Sequence, residues 1–389
     1  MKVLLVNDYA PRFGGAERMV FRLRHLLRER GHEARVLAST AGGAADADYS
    51  CFGTLGRFRT LLQSANPDAA RTMRRAITTF QPDVVYVKLF LTQLSPMILP
   101  PLGGVPSVYH AAWYRAVCPT GTKLLPTGAE CLEQPGVACY RHGCLPLRDW
   151  APVMGQMALW RRWRPAFNRI VANSAWTQRV LMEGGIEPVE VIPNGVPVVP
   201  ARPALSGPAL AMYAGRLVPE KGVDVLLRAF AGLGVDEARL AIFGEGPERD
   251  RLAALAESLG IAHRVTWRGH LEQDALEAAS ASAWINVLPS IWAEPFGLSS
   301  VEAAMRGTAT VATNTGGSTE LIEDGVTGLL TPAGDVTRLR QAMRQLLTDR
   351  SAAEAMGAAA RIRAMTNYRE ELFVDRLLSV FGGIIGAPA

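Results

Sequence analysis

Cysteine is scarce in this sequence, and five residues in 389 do not make the dense disulfide framework of a small secreted domain. Long hydrophobic runs are also missing, because no apolar stretch reaches the roughly 18 residues of a membrane-spanning helix. The first residues, MKVLLVNDYAPRFGG, contain too short an apolar stretch for the core of a secretion signal. These absences favour a cytoplasmic protein in a reducing compartment, with at most peripheral contact at the inner face of a membrane.

Positive charge is in small excess, and the charged residues are unevenly distributed along the chain. The net charge is +5; residues 1–200 carry 23 Lys and Arg against 14 Asp and Glu, whereas residues 201–389 carry 18 against 22. A basic first half is compatible with an anionic membrane, an anionic acceptor or nucleic acid as a partner. The basic residues lack the interleaved aromatic pattern of a nucleic-acid-binding surface. We therefore set nucleic acid aside and keep peripheral membrane contact through this half as an expectation.

The composition and the hydrophobic pattern predict two globular α/β domains. Hydrophobic residues make up 49% of the chain, and 389 residues exceed what one core usually supports. Short β-branched runs alternate with longer helical patterns, which is typical of doubly wound parallel sheets with crossover helices. Four prolines interrupt this rhythm in GVPVVPARPALSGP. We therefore predict domains at residues 1–198 and 209–368, a linker at 199–208, and a last helix within 369–389 that packs back on the first domain.

Two carboxylates lie eight positions apart in SIWAEPFGLSSVEAAMRG. A strand ends before this stretch, and a helix is expected to begin near Leu298 or Ser299. The backbone N–H groups from Phe296 to Ser300 would then emerge from a helix N-terminus at the carboxyl edge of a sheet, which is a favourable place for a phosphate. A phosphate would repel a carboxylate beside it, so the carboxylate is expected to bind a different group. Sugar or ribose hydroxyls are the obvious hydrogen-bond donors for Glu294 and Glu302.

Two cations flank a turn between a strand and a helix in AGRLVPEKGVDVLLRAF. Arg216 and Lys221 would stand at the edge of the same sheet, where the charge of a diphosphate needs balancing; solvated surface charges are the alternative. Two glycine-containing turns add weaker signals. FGGAER contains Gly15 and GEGPERDRL begins at Gly244, and both could approach a nucleotide closely or be ordinary strand-to-helix turns.

Six stretches in this order resemble a known family of enzymes. They are GGAE, NSAWTQ, VIPNGV, AGRLVPEKGVDVLLRAF, IFGEGPERDRLAALA and EPFGLSSVEAAMRGTATVATNTGGSTELIEDGVTGLL. Together they are similar to the bacterial retaining, nucleotide-sugar-dependent glycosyltransferases of the group 1 (family 4) type. The match runs from about residue 1 to about residue 365 and is most specific between 209 and 335. The resemblance implies the GT-B architecture, in which two Rossmann-like domains face a cleft, the first binding the acceptor and the second the nucleotide sugar.

The resemblance also implies a reaction. A sugar would move from a UDP- or GDP-linked donor to a hydroxyl of a glycan, lipid-linked or small-molecule acceptor, with retention of anomeric configuration, as in a hexosyltransferase (EC 2.4). No cofactor is implied, and a divalent metal is not expected to be needed. Asp46 and Asp48 resemble a metal-binding D-x-D, but they lie in an Ala- and Gly-rich loop. A sugar-nucleotide epimerase on the same fold and a non-catalytic sugar-nucleotide-binding protein remain as alternatives.

Position by position, the resemblance implies roles for individual residues. Arg216 and Lys221 would bind the donor diphosphate, Glu302 the ribose hydroxyls and Glu294 the transferred sugar. His110, at the end of the strand SVYH, would lie near the reacting sugar; a structural core histidine is the alternative. The implied catalytic residues are His110, Glu294, Arg216 and Lys221. The implied donor-binding residues are Gly15, Arg216, Lys221, Gly244, Glu294, Phe296, Gly297, Leu298 and Glu302.

Four of the five cysteines lie in one segment without clear periodicity, residues 115–147, which we call the cysteine loop. Cys118, Cys131, Cys139 and Cys144 are separated by intervals unlike the C-x₂-C pairs of common zinc sites. Structural zinc, disulfides and unpaired structural thiols are therefore all open. Long loops inside compact domains are usually functional, so we expect the cysteine loop to be ordered. An HxxW and CP segment like His110, Trp113, Cys118 and Pro119 occurs in some bacterial members of the family, and this resemblance implies that the loop shapes the acceptor site.

Overall fold

Two parallel β-sheets organise the chain, each in a unit of its own. The computed structural model describes residues 1–9, 14–43 and 46–386. Unit 1 comprises Met1–Pro193 and Phe373–Ala389, and unit 2 comprises Asn194–Leu372. The sequence placed the corresponding boundaries at 198 and 369. No helix among the described residues combines the length and the apolar character that crossing a membrane requires.

Unit 1 contains a seven-stranded parallel sheet with helices between the strands. Its strands are β1 (Lys2–Asn7), β2 (Glu33–Ser39), β3 (Tyr49–Cys51), β4 (Val84–Val87), β5 (Ser107–Ala111), β6 (Arg169–Ala172) and β7 (Val189–Val191). Its helices are α1 (Gly15–Glu29), α2 (Arg59–Ser64), α3 (Pro67–Phe80), α4 (Val137–Arg141), α5 (Leu147–Trp163) and α6 (Ala175–Glu183). The strand order is β3-β2-β1-β4-β5-β6-β7, so the sheet is doubly wound on either side of β1 and β4.

The core of unit 1 contains residues from two segments that are far apart in the sequence. Helix α1 buries Val20, Leu23 and Leu27 against the sheet, as their spacing on one helical face requires. Phe373 and Phe381 belong to the same apolar cluster, together with Val374, Leu377 and Ile384.

Unit 2 contains a six-stranded parallel sheet. Its strands are β8 (Leu210–Ala214), β9 (Arg239–Phe243), β10 (Val265–Gly269), β11 (Ile285–Leu288), β12 (Ala309–Thr313) and β13 (Gly328–Thr331). Its helices are α7 (Val223–Ala231), α8 (Arg249–Ser258), α9 (Gln273–Ser280), α10 (Leu298–Arg306), α11 (Ser318–Leu321), α12 (Val336–Thr348) and α13 (Arg350–Asn367). The next helix, α14 (Glu370–Ile385), belongs to unit 1 from Phe373 onward. The expected class, two Rossmann-like α/β units with parallel sheets, is confirmed.

The strand order of unit 2 marks where a ligand should bind. The order β10-β9-β8-β11-β12-β13 reverses direction between β8 and β11. In open α/β sheets ligands bind outside the carboxyl ends of the strands at such a switch point. The turns that follow β8 and β11 are therefore the first place to look for a site.

The proline-rich stretch that the sequence predicts as a linker is packed along unit 2. Its backbone has no helix or strand between Val196 and β8, because proline lacks the N–H that a ladder needs. Instead, the Arg202 amide donates to the Arg306 carbonyl at 2.8 Å. The Leu205 amide donates to Glu354 Oε1 at 2.7 Å. These two hydrogen bonds pair backbone N–H groups that have no partner in a helix or a strand.

Candidate functional site

A lysine and a glutamate meet at the switch point of unit 2. Lys221 ends the single 3₁₀ turn after β8, and Glu294 follows β11. Lys221 Nζ lies 2.5 Å from Glu294 Oε1, and the Ser290 hydroxyl donates to the same oxygen at 2.5 Å. Glu294 is only 4% exposed. The sequence placed both residues at this edge of the sheet but did not predict their contact.

The buried carboxylate of Glu294 stays charged. Burial by itself would raise its pKa, but the charge of Lys221 and hydrogen bonds from Lys221, Ser290 and Trp292 outweigh it and hold the pKa below the ordinary value. Lys221 Nζ also lies 5.5 Å from the centre of the Trp292 ring, a favourable place for a cation. The site therefore presents a fixed carboxylate and a fixed ammonium group side by side.

A glycine allows the two turns around this pair to approach each other. Gly222 has a φ of 62°, and a Cβ at that position would collide with the Pro289 carbonyl oxygen. The Ile291 amide donates to the Glu220 carbonyl at 3.0 Å, which ties the turn after β8 to the turn after β11. Only glycine fits this close approach without strain.

The turn after β12 fixes the backbone of Glu294 from the other side. Gly316, with a φ of 67°, forms an isolated β-bridge with Glu294, and a Cβ there would collide with the Glu294 carbonyl oxygen. The Gly317 amide donates to the same carbonyl at 2.6 Å. Sequence reasoning did not assign a role to these glycines. The doubled glycine of NTGGSTE directly after a strand was the available signal.

Helix α10 begins where the sequence predicts. Its first residue is Leu298, preceded by Gly297 with a φ of 101°. Phe296 is 4% exposed, and its ring contacts that of Tyr368 edge-on at 6.0 Å. Glu302 is half-buried and stands one turn after Leu298, hence on the same side of the helix. The N-terminus of α10 and Glu302 therefore flank the carboxyl end of β11 together with Glu294.

Arg216 is the exposed member of the predicted group. Its side chain is 53% exposed and lies 3.6 Å from Glu220, while its carbonyl accepts a hydrogen bond from the Tyr213 hydroxyl at 2.7 Å. Gly244 lies beside this turn with a φ of 129°, and a Cβ there would collide with the Gly215 carbonyl. The structure thus places Gly244 against the Arg216 turn, and it gives Arg216 a solvent-accessible guanidinium.

His110, in β5 of unit 1, is fully buried. Its Nδ1 lies 2.8 Å from the Tyr86 hydroxyl, whereas its Nε2 has no hydrogen-bond partner among the described residues. Burial first and the charge of Lys88 second hold its pKa well below the ordinary value, so the ring is neutral at pH 7. Burial also lowers the pKa of Lys88 to about 7. Tyr86 and Lys88 were not predicted from the sequence.

The remaining predicted positions also lie in unit 1. Gly15 is the first residue of α1; Phe13, at the start of its motif, falls outside the described residues. The carboxylates of the D-x-D string both pair with one arginine, since Arg24 lies 2.8 Å from Asp46 and 3.5 Å from Asp48. Asp48 also accepts a hydrogen bond from the Val36 amide at 2.7 Å.

Comparison with known proteins connects these features to a family. Residues 199–363 match the family model described as glycosyl transferases group 1, and residues 13–199 match the model of glycosyltransferase family 4. The chain belongs to the group 1 glycosyltransferases.

Curated relatives of this glycosyltransferase include mycobacterial enzymes. A GDP-mannose-dependent alpha-(1-6)-phosphatidylinositol monomannoside mannosyltransferase of Mycobacterium tuberculosis is 35% identical over 43% of this chain and 46% of its own length. A glycogen synthase of the same species is 37% identical over 47% of this chain and 46% of its own length. The chain thus spans less than half the length of these two relatives. The mannosyltransferase of Mycolicibacterium smegmatis is 28% identical over 98% of both chains.

Solved structures share the fold over nearly the whole chain. A sucrose-phosphate synthase from Thermosynechococcus elongatus is 19% identical and covers 100% of both chains with a TM-score of 0.79. Anabaena HepE in complex with UDP and glucose is 20% identical and covers 98% of this chain and 100% of its own, with a TM-score of 0.73. At such identities the likeness shows the fold alone, which is that of GT-B glycosyltransferases.

Proposed function

We propose that this glycosyltransferase moves a hexosyl group from a nucleoside diphosphate sugar to a hydroxyl of a glycan, lipid-linked or small-molecule acceptor, with retention of anomeric configuration. The observation that carries the proposal is the contact between Lys221 and Glu294 at the switch point of unit 2. It offers a cation for a phosphate and an acceptor for a hydroxyl within one side-chain length of each other.

The diphosphate is bound by positive charge from three sources. Lys221 is fixed by Glu294, Arg216 extends an exposed guanidinium, and the N-terminus of α10 presents backbone N–H groups. Helix N-termini and arginine both suit phosphate oxygens. These groups take the place of a divalent metal and of any other cofactor in the reaction as proposed.

The two carboxylates bind two different sugar rings. Glu294 is ionised and buried, and a carboxylate has more acceptor positions than the three that Lys221, Ser290 and Trp292 fill. It is therefore suited to accept hydrogen bonds from hydroxyls of the transferred sugar. Glu302, one helical turn beyond the phosphate-binding N-terminus of α10, is suited to accept them from the ribose.

The reaction follows from the placement of charge. The bond from the anomeric carbon to the diphosphate breaks while a bond from that carbon to the acceptor oxygen forms on the same face. The departing diphosphate takes the proton of the acceptor hydroxyl, and Arg216, Lys221 and the helix N–H groups stabilise its growing negative charge. We propose that His110, whose neutral ring adds no charge repulsion, steadies the oxocarbenium-like state of the transferred sugar.

A donor panel tests the proposal. Thermal unfolding is measured with UDP-glucose, UDP-galactose, GDP-mannose, UDP and GDP, and we expect stabilisation by one nucleotide sugar and by its own nucleoside diphosphate. Lys221→Met should abolish that shift. Arg148→Ala is the matched control, because Arg148 is 86% exposed and lies in unit 1.

The same samples test turnover. Slow release of nucleoside diphosphate from the stabilising donor, which Lys221→Met abolishes, is the expected result. Stabilisation without any release points to a sugar-nucleotide-binding protein. Exchange of hydrogen at the second carbon of the sugar points to an epimerase. Absence of any stabilising nucleotide sugar would refute the donor site.

A further inference from the structure

Most of the cysteine loop, from residue 122 onward, has defined structure without a hydrophobic core. Between residues 122 and 152 no side chain is buried, yet this stretch forms an antiparallel bridge between Leu124 and Glu130 and contains helix α4. A short segment that cannot bury enough apolar surface usually needs a disulfide or a metal ion to hold its shape. Something other than apolar packing must therefore stabilise this stretch.

All four cysteines of the loop line the same cavity. Cys118, Cys131, Cys139 and Cys144 all line one partly open pocket, and His142 also contributes to its wall. All four are free thiols; Cys118 is buried and the others are half-buried. Residues separated by up to 26 positions along the chain thus converge on one space.

The local backbone explains this convergence. The Cys131 amide donates to the Lys123 carbonyl at 2.8 Å, which closes a hairpin and returns the chain towards Cys118. Helix α4 then carries Cys139. Gly143, with a φ of 72°, ends α4 in a tight turn, and the Leu145 amide donates to the Cys139 carbonyl at 3.1 Å. This turn brings Cys144 beside Cys139.

We propose that Cys118, Cys131, Cys139 and Cys144 bind one zinc ion that stabilises the cysteine loop. Each thiol gives up its proton, and four Zn–S bonds form, so that one Zn²⁺ replaces four protons and the site carries a net charge of −2. A tetrahedral set of four thiolates is a common form of structural zinc site. The site belongs to unit 1 and is separate from the donor-binding residues of unit 2.

The chemistry of the ligand set also favours a cation at this place. Four thiolates gathered at one place would repel one another, and a divalent cation removes that repulsion. His142 is already engaged, because its Nε2 lies 3.1 Å from Glu133 Oε1, so the four sulfurs form the ligand set.

Metal binding is expected to tighten the loop. Within residues 1–9, 14–43 and 46–386, no three His, Cys, Asp or Glu side chains already stand in a metal-binding arrangement. The four sulfurs must therefore move towards the centre of their shared cavity when zinc binds. Ordering of this kind is usual, since zinc binding and local folding are coupled.

Metal analysis of the purified full chain tests the site. We expect one zinc per chain after dialysis, and at least a roughly fivefold loss of zinc in Cys131→Ser and in Cys139→Ser. Cys51→Ser is the matched control, because Cys51 is a buried thiol in β3 outside the loop, and it should keep its zinc. His142→Ala should keep it as well.

A second experiment needs no variant. Removal of zinc from the unmodified chain by a strong chelator should make residues 122–150 the first site of proteolysis, and added zinc should restore protection. Cobalt substitution should give the visible absorption of tetrahedral Co²⁺ with thiolate ligands. A chain without zinc whose four thiols are free or joined as disulfides, iron–sulfur absorption, or equal zinc loss in Cys51→Ser would overturn the proposal.

Discussion

The hydroxyl of Tyr86 lies 2.8 Å from Nδ1 of His110, and both side chains are fully buried in unit 1. The two rings meet edge-on with their centres 5.9 Å apart. A tyrosine hydroxyl that donates to Nδ1 leaves the imidazole proton on Nε2. Tyr86 therefore fixes the orientation of the histidine that we propose near the reacting sugar, and the tautomer follows from which of the two atoms donates.

Replacing this hydroxyl should slow transfer more than it weakens substrate binding. In Tyr86→Phe the ring of His110 loses its partner, and we expect kcat to fall about tenfold with KM nearly unchanged. Steady-state kinetics across pH 5–9 measure the effect. Tyr109→Phe, a neighbouring buried tyrosine on β5, is the control. Unchanged kcat with lowered stability would mean that Tyr86 has only a structural role.

Breaking the contact between Lys221 and Glu294 should destabilise unit 2. Lys221→Met leaves a buried carboxylate without its cation, and we expect a loss of about 3 kcal/mol in the free energy of unfolding. The double variant Lys221→Met/Glu294→Gln should recover most of that loss while remaining inactive. Urea unfolding of the wild type, both single variants and the double variant measures the coupling. Additive effects would show that the two side chains do not act as a pair.

The glycine that abuts Glu294 should not tolerate a side chain. Gly316→Ala places a Cβ against the Glu294 carbonyl and forces a left-handed φ on alanine, so we expect a loss of about 3 kcal/mol and loss of donor binding. Gly185→Ala is the control, since Gly185 has a φ of 76° with nothing within 4 Å of a Cβ. It should cost only about 1 kcal/mol. Equal losses in both variants would contradict the close approach.

The free energy of unfolding should increase with pH in mild alkali because of Lys88. Burial lowers its pKa from 10.5 to about 7 in the folded state, so between these values the unfolded chain binds a proton that the folded chain does not. Raising the pH through this window favours folding, by up to about 1.4 kcal/mol per pH unit. Urea unfolding at pH 7.5, 8.5 and 9.5 should show this rise. Lys88→Met should abolish it, whereas Lys123→Met should not.

The core contribution of the last helix can be measured directly. Phe381 is fully buried and its ring contacts Tyr86 edge-on at 6.1 Å. Phe381→Ala should lower the free energy of unfolding by about 3–5 kcal/mol. Ile385→Ala, at a position that is 38% exposed, should change it by less than about 1 kcal/mol. Similar effects of the two substitutions would show that α14 is not anchored as described.

Most of the strands could be predicted from the sequence, and the exceptions have a physical cause. Eleven of the thirteen strands in the described part of the chain coincide with apolar, β-branched runs. The two that were missed, β3 and β7, are three residues long and lie at the edges of the unit 1 sheet. A strand of that length does not show an alternating pattern. Its position is fixed by pairing with a neighbour that the local sequence does not reveal.

The candidate site was predictable in its residue types but not in its contacts. Strand ends followed by turns placed Arg216, Lys221 and Glu294 at one edge of the sheet. The ion pair between Lys221 and Glu294 joins residues far apart in sequence. The pattern of a sequence does not predict the distance between two such residues. Likewise, β5 could be predicted, but the depth of His110 depends on how helices cover the sheet. Burial of a single side chain is therefore a result of tertiary packing.

The core of unit 1 has a consequence for biosynthesis. Residues near both ends of the chain, from Val3 to Ile384, share one apolar cluster, whereas unit 2 is a continuous stretch, Asn194–Leu372. On the ribosome, unit 2 has all of its sequence before unit 1 does. Domains usually mature in order from the amino terminus, but α14 is synthesised after the whole of unit 2, so unit 1 completes its core only after unit 2 has all of its sequence.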